Sequence, residues 1–555
     1  MDRIWLKSYP PHVPATVDPT RLSSLNELLE QACARHAERV AFVQMDVALT
    51  YRRLEELTRA FAAWLQHCGF EKGDRIAIML PNTLQYPIAM FGALRAGLIV
   101  VNTNPLYTAP ELEHQLADSG ASAIVVLENF AHVLEKALPH TSIRRVLVTA
   151  AGDFLKFPKG QIVNVVLRHV RRQVPAWNIP DAVSFKTAVA EGQKLPLAPV
   201  DVATDDLAFL QYTGGTTGVA KGAMLSHGNL CINVLQSEAW LGGRFHGAPG
   251  VLLTAIPLYH VFALTANCLL FLRLGWKNVL IINPRDLRAL IADMKKYPCN
   301  FISGVNTLFN AMLHARGFDQ IDFSQLKITL GGGMAVQAAV AERWQAATGN
   351  VLTQAWGLTE TSPAACINPP DEQFNGSIGL PISSTDIAIK DDAGNDLATG
   401  QHGEICVRGP QVMRGYWNRP DETAKVMLPG GWLRTGDVGR MDEHGFVYLE
   451  DRKKDMILVS GFNVYPNEVE AVAADCPGIL EAAAVAQPDE RSGEAVALFV
   501  VRRDAALTAR EVIDCCRKSL AGYKVPKHVY FRNDLPKSNV GKILRKALRE
   551  ELLRG

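Results

Sequence analysis

Tyr212 to Gly222 reads Tyr-Thr-Gly-Gly-Thr-Thr-Gly-Val-Ala-Lys-Gly. Gly214, Gly215 and Gly218 free the backbone to turn several N–H groups toward one concave point, which is how a chain grips an anion. Thr213, Thr216 and Thr217 add hydroxyl donors, and Lys221 adds a mobile positive charge. Together these residues would cradle a polyphosphate. The spacing is not Gly-x-x-x-x-Gly-Lys-[Ser/Thr], because Lys221 is followed by Gly222, with no magnesium-binding hydroxyl. Taken alone, the stretch also admits the lesser reading of an ordinary Gly/Thr turn between strands.

Other chemistry-bearing residues are spread downstream. Gln354-Ala-Trp-Gly-Leu-Thr-Glu-Thr sets the Thr359 hydroxyl beside the Glu360 carboxylate after the turn residue Gly357. That pair suits a phosphate oxygen and a magnesium ion, since hard cations take oxygen ligands and bridge to nucleotides. It fits equally an N-cap threonine with a first-turn glutamate. Trp432-Leu-Arg-Thr-Gly-Asp437 ends in a carboxylate suited to two ribose hydroxyls, or to an exposed Asx turn. Asp451-Arg452 and Lys542, in Pro536-Lys-Ser-Asn-Val-Gly-Lys542, bring charge from far along the chain. As lone residues these would be surface charges.

The elements that must position these groups follow an α/β rhythm. The loop leaves the short apolar run Leu207-Ala208-Phe209-Leu210, a buried strand by its pattern. Upstream, Leu25 to Ala34 is amphipathic, Arg75-Ile-Ala-Ile-Met-Leu reads as a strand, and Tyr86 to Ala96 as a helix. Leu98-Ile-Val-Val and Ala123-Ile-Val-Val-Leu are strands again. The alternation predicts βαβ units in a largely parallel sheet covered by helices, and it recurs at Val251–Ile256 and from Val279. From about residue 385, short alternating strands between Asp391-Asp-Ala-Gly and Glu443-His-Gly turns predict a small antiparallel or distorted-barrel subdomain. Asp451-Arg-Lys-Lys-Asp then breaks the chain before a final domain that ends in a basic helix, Lys542 to Arg554.

Bulk properties set limits. At 555 residues the chain exceeds one core and predicts roughly two to four domains or subdomains. A formal charge of +1 argues against nucleic-acid binding driven by net charge. The ten cysteines include no Cys-x-x-Cys pair, and Cys515-Cys516 are adjacent; buried reduced thiols are expected, and no zinc site. The N-terminus lacks a signal-peptide core, and the apolar stretch Val261–Leu272 is too short to span a bilayer, so a cytoplasmic chain is expected.

Taken in order, these motifs resemble the acyl- and aryl-adenylating enzymes, a family that includes acyl-CoA synthetases, peptide-synthetase adenylation domains and firefly luciferase. The likeness runs almost the full length. Within the family, Asn104-Pro-Leu-Tyr-Thr, Pro257-Leu-Tyr-His-Val-Phe-Ala-Leu, Gly304-Val-Asn-Thr-Leu-Phe-Asn and Val459-Ser-Gly-Phe-Asn-Val-Tyr-Pro resemble the bacterial long-chain fatty acid–CoA ligases, as does the opening Trp5-Leu-Lys-Ser-Tyr-Pro. The resemblance implies a large N-terminal body over residues 1–453, a small mobile α+β C-terminal domain over 454–555, and an active site between them. It assigns the loop threonines and Lys221 to the β- and γ-phosphates, Thr359 to the α-phosphate and Glu360 to magnesium. Gly331, Gly332 and Gly333 would line the adenine and acyl pocket, and Asp437 and Arg452 would hold the ribose. Lys454 falls at the hinge position and Lys542 at the catalytic lysine. Trp356 stands where many relatives carry tyrosine and would stack on adenine. Gly461 and Phe462 would flank a pantetheine tunnel after the domain turns, and His260 would stand at the acyl-pocket entrance rather than as a satisfied core histidine.

The implied reaction joins a fatty acid to CoA through an acyl-adenylate, with Mg2+ as cofactor and ATP and CoA as co-substrates, for fatty acid degradation or lipid synthesis. Gly304, Val305 and Gly331 are small enough to leave room for an acyl chain. In Gln161–Arg172, Ile162, Val166, Val170 and Val174 share one helical face, with Val163 and Leu167 beside it and Arg168, Arg171 and Arg172 carrying charge. Such a helix either lies on anionic lipid, giving peripheral inner-membrane association, or packs on the body with a basic edge. A homodimer stays open. The competing functions are an aryl-CoA ligase, a carrier-protein-loading adenylating enzyme, and a fatty-acid-binding protein without catalysis; intact Glu360, Asp437, Arg452 and Lys542 argue against the last.

Overall fold

The computed structural model describes residues 2–213, 220–241, 245, 249–489 and 491–554. Two sheets form the bulk of the chain. The first has seven strands, in spatial order Val183–Ser184, Arg145–Thr149, Ala123–Leu127, Arg75–Met79, Ile99–Asn102, Leu207–Thr213 and Lys221–Ser226. All neighbours are parallel except the last pair, a hairpin. Ile76, Ala77, Ile78 and Met79 are fully buried, so this strand is covered on both faces, as a parallel sheet requires. The second sheet has nine strands, with a parallel centre formed by Leu352–Gly357, Ile328–Gly331, Phe301–Gly304, Val251–Thr254 and Lys277–Leu280.

The helices between strands start where the side chains allow. Thr50 accepts a hydrogen bond from the Arg53 N–H and caps Tyr51–His67, and Thr108 with Glu111 forms a capping box for Ala109–Ser119. Two expected helices, from Leu25 and from Tyr86, are present as Leu25–His36 and Gln85–Arg95.

After residue 385 the texture changes as the sequence predicts. Asp386–Lys390, Gly403–Arg408, Trp432–Met441, Met427–Leu428 and Val447–Arg452 form a five-stranded antiparallel sheet. A separate sheet begins at Ile457. It contains the long hairpin Ile479–Asp489/Gly493–Arg502, and His528–Arg532 runs parallel to the second arm. The mixed α/β body with a smaller α+β unit at the C-terminus agrees with the expected fold class.

Several expectations need correction. The final helix is Arg545–Arg554, so Lys542 lies in the loop before it and not on the helix. The Ser538 N–H donates to the Lys542 carbonyl and Lys537 pairs with Ile543 in an isolated bridge, so the chain around Lys542 closes a tight turn, with Gly541 at φ +84° within it. Cys476 and Cys515 form a disulfide 39 residues apart in sequence, against the expectation of ten reduced thiols. Adjacent residues point to different sides, so Cys516 enters the core while Cys515 faces Cys476. The basic segment is helical over Lys159–Val165 and continues as a π-turn, Val166–Val170. The wider turn shifts the face: Val163, Val166 and Leu167 are half-buried, whereas Ile162, Val165 and Val170 are exposed, and Val174 lies beyond the helix. No helix among the described residues is long and apolar enough to cross a membrane.

Candidate active site

A cavity of about 1090 Å³ opens where the carboxyl ends of strands from both large sheets face the C-terminal unit. This is where open α/β sheets hold ligands, and its size exceeds that of most small-molecule pockets.

One corner is built by the hairpin Leu207–Thr213/Lys221–Ser226. Its register pairs Thr213 with Lys221, so the hydroxyl and the cation meet across the hairpin mouth, and both line the cavity. Gly214, Gly215, Thr216, Thr217 and Gly218 lie outside the described residues. Lys221 is ion-paired with Glu422 and its ammonium stands 5.2 Å from the centre of the Tyr416 ring. The Tyr416 hydroxyl donates to Glu360 Oε1 at 2.7 Å. Burial, together with the Glu360 charge, pushes the Tyr416 phenol well above its ordinary range, so it stays a donor.

Thr359 and Glu360 follow Leu352–Gly357 in a single 3-10 turn. The turn is closed by Thr361, whose hydroxyl accepts from the Leu358 N–H at 2.8 Å, and by the Met413 N–H donating to the Glu360 carbonyl at 2.8 Å. Gly357 is required, because a Cβ there would lie 1.8 Å from the Pro363 carbonyl oxygen. Thr359 and Glu360 both face the cavity. A carboxylate beside a hydroxyl is a donor set for a hard cation, and Mg2+ is held by one or two carboxylates plus substrate phosphates. The residues therefore fit magnesium, although no cluster of three or more His, Cys, Asp or Glu occurs among the described residues.

At the opposite corner, the Trp356 indole N–H donates to Asp437 Oδ2 at 2.9 Å. Asp437 Oδ1 lies 2.9 Å from Arg452 Nε as an ion pair, yet has no hydrogen-bond partner although it is buried. Asp437 lines the cavity with one oxygen held by the Trp356 N–H and the other by the Arg452 charge alone, so its remaining lone pairs fit ribose hydroxyls. The strand pairing sets Asp437 opposite Arg452, which explains how residues 15 positions apart meet.

Lys542 enters between these corners from the C-terminal unit. Its loop is tied by the Ser538 N–H donating to the Lys542 carbonyl at 2.7 Å and by the Thr307 hydroxyl donating to the Gly541 carbonyl at 2.8 Å. A Cβ on Gly333, which has φ +79°, would lie 3.2 Å from Lys542 Cε, so this glycine leaves the lysine its path. Burial, reinforced by the Arg452 charge and opposed by Asp437 and Glu360, pushes the Lys542 ammonium down to about 8. His260 caps the short helix Val261–Ala263, with Nδ1 accepting from the Phe262 N–H at 3.3 Å. Burial, with a smaller contribution from Lys542, pushes it down to about 3. His260 is therefore neutral, with Nε2–H left as its donor. Next to it in sequence, Phe262, Ala266 and Leu270, with Leu241 of the helix His227–Leu241, give the cavity wall an apolar arm that also carries the hydroxyls of Thr265 and Ser237.

The structure thus brings Thr213, Lys221, His260, Gly332, Gly333, Trp356, Gly357, Thr359, Glu360, Asp437, Arg452, Lys454 and Lys542 to one cavity. It does not bring three others. Gly331 ends its strand in packing: a Cβ would lie 2.5 Å from Leu352 Cδ2. Gly461, at φ +84°, turns an exposed hairpin, and Phe462 packs on Tyr523 with ring centres 5.0 Å apart. At Gly304 the space a Cβ would take is already filled by the Phe309 ring, 2.7 Å away, and Val305 is buried. Tyr416 and Glu422 were missed in the sequence, where no spacing connects them to Glu360 and Lys221.

Comparison with known proteins agrees with this geometry. Residues 29–417 match the model of the AMP-binding enzyme family, and residues 468–542 that of the AMP-binding enzyme C-terminal domain. A protein of Escherichia coli O157:H7 named long-chain-fatty-acid--CoA ligase is 54% identical over 553 residues, covering 99% of this chain and 98% of that protein. One of the same name from Salmonella typhimurium is 55% identical with the same coverage. The crystal structure of an anthranilate CoA ligase with anthranoyl-AMP superposes with a TM-score of 0.86 at 22% identity, covering 97% of this chain and 99% of that one, a likeness of fold. With its two family models in sequence order and its cavity between the units they cover, the chain belongs to the AMP-binding enzyme family.

Proposed function

We propose that this chain is a long-chain fatty acid–CoA ligase that works through an acyl-adenylate. The observation that carries the reading is the entry of Lys542 into a cavity lined by the Lys221 cation, by the Asp437 carboxylate paired with Arg452, and by an apolar arm next to His260. A polar half for a nucleotide and an apolar half for a chain meet at one cation. The identity of more than half to full-length relatives named for this activity supports the substrate class.

In the first step a carboxylate oxygen attacks the α-phosphorus of ATP, the bond from that phosphorus to the bridging oxygen breaks, and pyrophosphate leaves. In the second, the CoA sulfur attacks the acyl carbonyl, the carbon–oxygen bond to AMP breaks, and the thiol proton is lost. The first step brings two anions together, so catalysis is positioning and charge neutralisation. Lys542 would bridge the carboxylate and the α-phosphate, a contact whose removal costs about 3 kcal/mol, roughly a hundredfold in rate. Asp437 would take the ribose hydroxyls, with Trp356 holding its other oxygen. His260 would donate Nε2–H at the mouth of the acyl arm. Glu360 and Thr359 would hold Mg2+, which when bound neutralises charge on the departing phosphates.

The division of the chain at 453/454 belongs to the same reading. Arg452 ends one sheet and Ile457 begins the next, so Lys454 sits on the short connection where a turn would occur. Peripheral membrane association is supported by Phe157, Ile162, Val165 and Val170, which are 82%, 58%, 53% and 72% exposed, beside Lys156, Arg171 and Arg172. Exposed apolar residues flanked by cations suit an anionic lipid surface, where fatty acid partitions.

AMP release by purified protein tests the proposal, measured across C4 to C18 fatty acids and 4-coumarate with and without CoA. CoA-dependent release that peaks at a long acid is expected. Activity confined to aryl acids, or pyrophosphate release without a CoA thioester, would overturn it.

A further inference from the structure

The loop that carries Lys542 is closed on itself at Ser538 and tied to Thr307 at Gly541, and a lysine side chain has much rotamer freedom to lose. A further hold lies three residues on. Arg545, at the start of the final helix, hydrogen-bonds three partners with its guanidinium and stands 3.7 Å from a fourth, Asp455 Oδ2. Nε and Nη2 donate to the two oxygens of Glu470 at 2.9 and 2.7 Å, Nη2 donates to Asn467 Oδ1 at 2.5 Å, and Nη1 donates to Asp451 Oδ1 at 3.0 Å. Glu470 and Asn467 belong to the same C-terminal unit as Arg545, on the helix Pro466–Ala474. Asp451 does not. It sits on Val447–Arg452, the strand that ends the five-stranded sheet, and is 1% exposed.

Asp451 is committed to the C-terminal unit with both oxygens. Oδ2 accepts from the Asn467 N–H at 2.8 Å, while Oδ1 accepts from Arg545 and from the Arg452 N–H at 2.7 Å. The grip is extended by Asn467 Nδ2, which donates to the Glu450 carbonyl at 3.1 Å. One helical turn later, Arg549 donates to Asp455 at 2.8 Å and to the Lys454 carbonyl at 3.3 Å. The helix that follows Lys542 is therefore held across the boundary at Asp451 and, within its own unit, to the connection at Lys454 and Asp455. Any departure of that helix from Asp451 withdraws Lys542 from the cavity.

We propose that Asp451 and Arg545 form a latch between the two sheets that positions Lys542 for adenylate formation and must open for the C-terminal unit to move. The latch rests on the adenylate-forming role proposed for Lys542. Neither residue touches the reacting atoms; both are positioning residues. The fork of Arg545 matters as well as its charge, since lysine cannot reach Asp451 and Glu470 together.

The test separates the two half-reactions. ATP–pyrophosphate exchange with a long fatty acid reads adenylate formation, and CoA-dependent consumption of supplied acyl-adenylate reads thioester formation. Asp451→Asn is nearly isosteric, but its amide turns a donor toward either Asn467 N–H or Arg545, so one side of the latch must break. The exchange kcat is expected to fall about tenfold to a hundredfold, with thioester formation held within about twofold and the melting temperature little changed. Arg545→Lys is expected to split the half-reactions in the same direction. Lys542→Ala is the control. If it splits them and Asp451→Asn does not, the latch is wrong and the reading of Lys542 stands. If Lys542→Ala itself leaves the ratio unchanged, the functional reading fails and takes the latch with it. Equal loss in both half-reactions with a lowered melting temperature would make Asp451 merely structural and overturn the proposal.

Discussion

Lys221 and Glu422 form an ion pair at the mouth of the phosphate corner, where the incoming nucleotide would need the same ammonium. Lys221 and Lys425 hold the Glu422 carboxyl down at about 2, so it is charged throughout the working range. On the proposed reading, ATP would compete with a resident carboxylate for Lys221. Glu422→Gln is expected to lower KM for ATP by about two- to fivefold, the scale of one partly exposed ion pair, with little change in kcat. Steady-state kinetics in varied ATP check this, and an unchanged or raised KM would show that Glu422 orients Lys221 rather than competing for it.

The depressed Lys542 makes a pH prediction with a definite sign. The ammonium is charged below about 8 and neutral above, against an ordinary 10.5. The free enzyme's kcat/KM for adenylate formation should fall as pH rises through about 8, tenfold per unit on the alkaline limb. Lys542→Arg stays charged and should lose that limb at reduced activity. Linkage runs the other way for stability. Between about 8 and 10.5 the unfolded chain keeps the proton that the folded chain has released, so the contribution of this group to stability rises with pH in that window. A pyrophosphate-exchange profile from pH 6 to 10 reads the activity.

Trp356→Phe removes the N–H that satisfies Asp437 Oδ2 but keeps an aromatic face. Stacking alone would leave ATP binding unchanged. The buried carboxylate would instead lose a charge-assisted bond, raising Kd for ATP by roughly tenfold or more. Calorimetric titration with a non-hydrolysable ATP analogue distinguishes the two roles.

Ala266 lines the apolar arm next to His260. Ala266→Phe should shorten the preferred acyl chain, because each methylene excluded from burial forfeits about 0.8 kcal/mol, roughly fourfold. The optimum of the C4 to C18 panel should move to shorter acids while activity on short acids persists. An unmoved optimum would place the chain elsewhere.

Replacing Phe157 and Val170 by serine removes the two most exposed apolar side chains of the basic segment. Partition onto phosphatidylglycerol vesicles should fall severalfold, with turnover of a soluble short acid unchanged. Equal partition of both proteins in a flotation assay would reject this surface as the contact.

Much of the site was legible in the chain itself. In short windows Thr359-Glu360, Asp437, Arg452 and Lys542 show only their side-chain chemistry, a hydroxyl beside a carboxylate, a further carboxylate and two cations; their roles came from the order of the motifs and the family that order resembles. The βαβ alternation was legible in such windows directly: burial on both faces leaves continuous apolar runs such as Ile76 to Met79. What no window contains is pairing across long sequence distances. Tyr416 on Glu360, Glu422 on Lys221 and Asp451 on Arg545 are separated by 56, 201 and 94 residues. Only chain folding decided them, since the strand register sets Asp437 against Arg452 and the helix after Lys542 packs where Asp451 is buried. Small residues misled for the same reason. Gly331 and Gly304 look alike in sequence to a glycine that opens a cavity, yet their missing Cβ positions are filled by Leu352 and Phe309. Gly333 faces Lys542 instead. Whether a glycine opens space or closes packing depends on which side chain reaches it, and that is fixed by tertiary contact alone.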